Sequence, residues 1–185
     1  MPLIAVVFYF SKSPRFLPKE LIYSKLISLG LLSVVLPVLV FYLLKTLGKA
    51  KTIYLQSSKE RILPLVVNSF ILIVIIFRVF PASQLIELHF FFIAVLMSTL
   101  SCLILALLSF KASIHLIAVT GVFSFFLLLS INYSININGT IALMCILIGA
   151  ISTSRLYLKA HTVLELFVGL FLGAFPQIIM VNYWF

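Results

Sequence analysis

The chain has 185 residues, 64% hydrophobic and 9% charged, with a mean hydropathy of +1.31. Soluble domains average about 45–50% apolar and about 25% charged, so this composition excludes a soluble globular protein, a disordered chain and a disulfide scaffold. The charge is lopsided: 13 Lys and Arg stand against four acids, all glutamate, for a net +9.

In chain order, residues 2–10 come first, an apolar piece too short to span a membrane and followed by Lys12 and Arg15. A signal peptide would carry its cations ahead of the apolar run and a small-residue cleavage site behind it. The segment is therefore expected to be interfacial or half-inserted, tethered by Pro14 and Pro18. A helix needs about 20 mostly apolar residues to cross the hydrocarbon core, and six runs approach that length: residues 26–44, 62–79, 88–108, 115–133, 139–153 and 163–182. The fifth is short, with room to continue past Arg155 as a helix leaving the membrane. The fold class expected is all-α: a single integral-membrane domain over 1–185, with six transmembrane helices in a bundle and the short N-terminal segment. Residues 134–138 read as a tight polar turn. Gly169 and Gly173, four apart, permit close helix packing, and Pro37 and Pro176 are expected to kink their spans. Cys102 and Cys145 fall inside apolar runs and read as buried small hydrophobes. His89, beside Glu87, reads as structural.

Six spans alternate sides, so the loops sort onto two faces. One face, the first, collects the 45–61 linker, residues 109–114 and residues 154–162. It carries Lys59, Arg61, Lys111, Ser113, His115, Ser154, Arg155, Lys159, His161 and Glu165, and with Lys45, Lys49 and Lys51 of the linker it holds eight of the 13 cations. Ionisable groups beside membrane spans are costly and face a cavity or the bundle interior. The pattern points to a positively charged pocket at one surface, suited to an anionic headgroup. His161 and Glu165 are four apart, which on a helix stacks them on one face together with Ser154 and Leu158. A carboxylate so placed fixes the imidazole tautomer. Ser113 and His115 lie where the fourth span begins, and a helix N-terminus there favours phosphate. Two histidines, several cations and hydroxyl donors form a set suited to phosphoryl transfer.

These residues resemble the type 2 phosphatidic acid phosphatase superfamily, in a divergent bacterial branch. Ser154-Arg155, five residues, His161, three residues, Glu165 is similar to its third signature, S-R-x5-H-x3-D, with Glu in place of Asp. Ala-Ser-Ile-His at 112–115 resembles the second, P-S-G-H, keeping Ser and His. Lys-Glu-Arg-Ile-Leu-Pro at 59–64 stands where the first, K-x6-R-P, is expected; the position seven before Arg61 is Tyr54, and the proline comes three positions late. The likeness covers about residues 20–180.

What the resemblance implies is metal-independent hydrolysis, with no cofactor, of a lipid phosphomonoester or pyrophosphate. The substrate would be an anionic lipid phosphate or a polyprenyl pyrophosphate. His161 would be the nucleophile that forms a phosphohistidine, Glu165 would orient it, and His115 would protonate the leaving group. Arg61, Lys59, Ser113, Ser154, Arg155 and Lys111 would hold the phosphoryl oxygens. The setting would be a bacterial inner membrane, with the site on the periplasmic face. A chain with no soluble domain excludes nucleic acid as a partner. The alternative is a non-catalytic relative that binds lipid or scaffolds a membrane complex, as a homo-oligomer or with another subunit.

Overall fold

The computed structural model describes residues 1–46 and 58–184, except the side chains of residues 44, 45 and 58–60. In order, the helices are α1 (Pro2–Lys12), α2 (Lys19–Gly30), α3 (Leu36–Thr46), α4 (Ser58–Val74), α5 (Ile86–Leu107), α6 (Ile114–Tyr133), α7 (Asn138–Tyr157) and α8 (Val163–Met180). A π-helical turn at Leu31–Val35 joins α2 to α3, and another at Ile75–Val79 ends α4. The first π turn immediately precedes Pro37, whose missing N–H and bulky ring disturb the helix one turn back. Six stretches have the length and hydropathy to cross a membrane: Lys19–Leu43, Arg61–Val79, Ile86–Leu107, Ile114–Tyr133, Asn138–Tyr157 and Val163–Tyr183. The protein is a polytopic helical membrane protein. The first span begins seven residues earlier than the hydropathy pattern suggests. Its added turns carry Lys25, whose ammonium bonds to Gln84 Oε1 (2.7 Å) and to the Val79 carbonyl at the end of the second span.

The centre of the bundle is the pair α6 and α8, with α5 alongside. Glycine makes that pair close. A Cβ added at Gly173 would stand 2.5 Å from the Ile117 carbonyl oxygen, and one at Gly169 would stand 3.0 Å from that of Ser113. Between lipid-soluble helices, apolar burial gives no net drive, and close backbone packing of this kind does much of the holding. Ser98 on α5 adds a hydrogen bond to the Leu172 carbonyl on α8 (2.8 Å). α7 packs on α6 and otherwise faces outward, with 6% of its span buried; the first span is equally exposed. Cys102 is buried as expected, but Cys145 is exposed, because α7 turns one side alone to its neighbours.

The N-terminal segment is a helix docked against the bundle. α1 packs on α2 and α6, with Ala5, Val6 and Tyr9 fully buried. The fully buried Glu87 at the start of α5 clasps it. The Glu87 carboxylate accepts from the Tyr9 hydroxyl (3.0 Å) and the Tyr133 hydroxyl, and pairs with Arg15 at 2.8 Å. A buried carboxylate is tolerated in a membrane bundle when it is paired and hydrogen-bonded in this way. Nearby, the His89 ring donates from Nδ1 to the Phe80 carbonyl (2.8 Å), a structural role.

Candidate functional site

Two short loops at one end of the bundle build the site. Each contains a residue in left-handed backbone conformation, Ser109 (φ 63°) and Lys159 (φ 49°), where the chain turns out of α5 and α7. The loops are clipped to each other and to α8. The Lys111 ammonium donates to the Ala160 carbonyl (3.3 Å), and the Ser113 backbone N–H donates to the Glu165 carbonyl (3.3 Å). From α4, the buried Arg61 guanidinium donates to the Ala112 carbonyl (2.9 Å), which fastens the helix to the first loop.

His161 does not lie on a helical stripe with Ser154 and Leu158. α7 ends at Tyr157, α8 starts at Val163, and His161 sits in the turn between them. The expected stacking of His161 on Glu165 within one helix is replaced by a capping box. Thr162 is the N-cap of α8; its Oγ1 accepts from the Glu165 backbone N–H (3.3 Å), and its own N–H donates to Glu165 Oε2 (3.1 Å). The same Oε2 lies 2.9 Å from His161 Nδ1. His161 Nδ1 is also 3.1 Å from the Lys111 carbonyl oxygen. Both neighbours are acceptors, so Nδ1 carries the proton and Nε2 keeps its lone pair.

Electrostatics favour the neutral ring. Burial pulls the His161 imidazole below its ordinary value, helped by the charges of Arg61 and Lys111; the Glu165 hydrogen bond and charge oppose this. The charges of Arg155 and Arg61 both reach His115, which is exposed at the first turn of α6. Arg155 arrives from the last turn of α7, and its charge also reaches Arg61. The structure thus brings Arg61, Lys111, His115, Arg155, His161 and Glu165 to one end of the bundle. Ser113 is there too, as the N-cap of α6, but its hydroxyl is fully buried and makes no hydrogen bond. Ser154 is exposed on α7, a turn away from the histidine loop. The side chain of Lys59 lies outside the described residues.

Sequence reasoning missed two parts of this arrangement. The backbone carbonyls of Lys111 and Ala112, which fix His161 and Arg61, leave no mark in the sequence. The capping box does: Thr-x-x-Glu ahead of an apolar run at 162–165 is its signature. The Tyr9, Arg15, Glu87 and Tyr133 clasp was missed as well, although an acid beside a span is itself a signal.

The class defined by fold and site is a helical membrane protein with six candidate spans and a cationic, two-histidine cluster at one end of the bundle. Comparison with protein-family models, with curated proteins and with solved structures finds no match for this chain.

Proposed function

We propose that the protein is a membrane phosphatase that hydrolyses the phosphomonoester or pyrophosphate of an anionic lipid, such as a polyprenyl pyrophosphate, through a phosphohistidine. One observation carries the reading. His161 is held by two acceptors at Nδ1, with Nε2 unprotonated, inside a cluster of cations that also contains His115. In the first step, Nε2 attacks phosphorus and the bond to the lipid oxygen breaks; His115 gives its proton to that oxygen. In the second, water attacks the phosphohistidine, His115 takes back a proton, and phosphate leaves. Arg61, Arg155 and Lys111, with Lys59, neutralise the phosphoryl oxygens as charge shifts. The resemblance of 154–165 and 112–115 to the phosphatidic acid phosphatase signatures supports the same chemistry. It also supports a bacterial inner membrane with the cluster on the periplasmic side.

A second reading is a headgroup-binding or scaffolding subunit without turnover. The buried, unpaired Ser113 hydroxyl favours it, since a group with no exposed surface offers nothing to a phosphate as it stands. Purified protein assayed for phosphate release from lipid phosphates and polyprenyl pyrophosphate, with chelator present, separates the two. Turnover that disappears in His161→Ala supports the phosphatase. Turnover unchanged in that variant overturns the mechanism, and absence of turnover on every lipid leaves the scaffold.

A further inference from the structure

A cavity of about 240 Å³ lies within the membrane-spanning part of the bundle, bounded by α4, α5, α6 and α8, with Met1, Pro2 and Leu3 of α1 closing one side. It runs along the bundle rather than across it. α4 starts at the site with Arg61 and travels toward the opposite face, whereas α5 travels back. Ile114 and Asn68 therefore line the half near the site, while Ile75, Phe91 and Gln177 line the far half. From Arg61 to Ile75, α4 rises about 21 Å at 1.5 Å per residue. One leaflet of a hydrocarbon core about 30 Å thick is about 15 Å deep, so the cavity crosses the midplane.

Its wall is mostly hydrocarbon. The hydroxyls of Ser98 and Thr99 are bonded to the carbonyls of Ala94, Leu172 and Val95. Ser33 Oγ and Gln177 Oε1 are buried oxygens in the wall that have no hydrogen-bond partner in the protein. Two grooves adjoin the cavity across α4. The first span stands off α4, leaving a groove of about 90 Å³ that involves Pro37, Phe41 and Pro64, and another of about 270 Å³ that involves Leu36, Phe70 and Val74. Both grooves share Ile71 with the cavity. Pro64 lies one turn below Arg61 on α4, so the smaller groove stands between the level of the cationic cluster and that of the cavity.

We infer that this cavity holds the hydrocarbon chain of a lipid whose anionic head sits among Arg61, His115 and His161, and that the chain passes the bilayer midplane. The preferred lipid is then one whose chain is longer than a leaflet is deep, entering sideways between α3 and α4. The inference rests on the headgroup reading of the cluster, but chain binding does not depend on hydrolysis.

The test is photolabelling in phosphatidylcholine vesicles with alkyl and isoprenoid phosphonates that carry a diazirine at the chain end, in short, leaflet-length and longer forms. The long probes should label Leu72, Ile75 and Val95, and the short ones should label around Pro64 and Ile114. Ala118→Phe and Val95→Phe, which fill the cavity from two different helices, should each cut labelling at Ile75 severalfold. Labelling confined to the outward residues Ile73 and Phe77, or unchanged by both filling variants, would overturn the inference. His161→Ala separates this site from the proposed chemistry. In that variant Ile75 labelling should persist while hydrolysis is lost; in the unsubstituted protein, Ile75 labelling without hydrolysis of any lipid would remove the phosphatase and leave the chain site, and hydrolysis without Ile75 labelling would do the reverse.

Discussion

Glu165 Oε2 stands 2.9 Å from His161 Nδ1 and 3.1 Å from the Thr162 backbone nitrogen, so one oxygen both orients an imidazole and caps α8. The position is the third residue of the helix, from which a capping box reaches back with Glu or Gln. The resembled signature has Asp at this point. Here the additional methylene has a physical use, because the carboxylate must span the first turn to meet both donors.

Shortening that side chain should therefore damage two things at once. Glu165→Asp is expected to cost about 1 kcal/mol of stability through the lost cap. It should also cost up to about 100-fold in turnover through a misplaced imidazole. Glu165→Gln keeps the reach, so it should retain most of the stability while still losing rate. Thermal unfolding in detergent and phosphate release, measured on both variants, check the split.

The pH dependence follows from the depressed His161. The reaction proposed needs this ring neutral, and its pKa lies below the ordinary value near 6.5. The acid limb of kcat/KM should fall below that pH. Removing the Glu165 charge removes a raising influence, so in Glu165→Gln the acid limb should move lower still. Stability obeys the same sign: below pH 6.5 the unfolded state takes up a proton that the folded state still refuses, so His161 lowers stability as pH falls. A rate profile and a series of melting temperatures between pH 5 and 8 measure both.

Packing between α6 and α8 sets the spacing of the two histidine loops. Gly173→Ala would drive a Cβ to 2.5 Å from backbone oxygen, which cannot rotate away, whereas Gly169→Ala meets its nearest atom at 3.0 Å. Gly173→Ala is expected to cost about 1–3 kcal/mol, as overpacking does, and Gly169→Ala less. Because Gly169 opposes Ser113 itself, the Gly169 variant should show the larger loss of activity relative to its loss of stability.

The N-terminal clasp can be dissected similarly. Tyr9→Phe removes one hydrogen bond to Glu87 and should cost about 1 kcal/mol. Glu87→Ala leaves two tyrosine hydroxyls and Arg15 without their acceptor and should cost more. Hydrogen exchange should rise in α1 and residues 13–18 in both variants, while the exchange of α8 stays unchanged.

The spans were legible because length and hydropathy are local properties. So was the gathering of Arg61, His115, Arg155 and His161 at one end, which follows from counting crossings. The course of the chain around His161 was not. A 3.6-residue spacing reads the same whether the helix continues or breaks, and the break depends on Lys159 adopting a positive φ that its side chain does not advertise. The inward docking of α1 was hidden for another reason. It depends on Glu87 meeting Tyr9 and Tyr133 from distant parts of the chain, a pairing that no single segment encodes.

One helix remains less firmly held than the residue it carries would suggest. Arg155 comes from α7, which packs chiefly on α6 and has 6% of its span buried. A helix so placed answers to the bilayer: mismatch between its apolar length and the hydrocarbon thickness is relieved by tilt. Tilting α7 would raise or lower its guanidinium relative to the two histidines. Membrane thickness would then act on the position of Arg155, and acyl-chain length in the surrounding lipid would shift it.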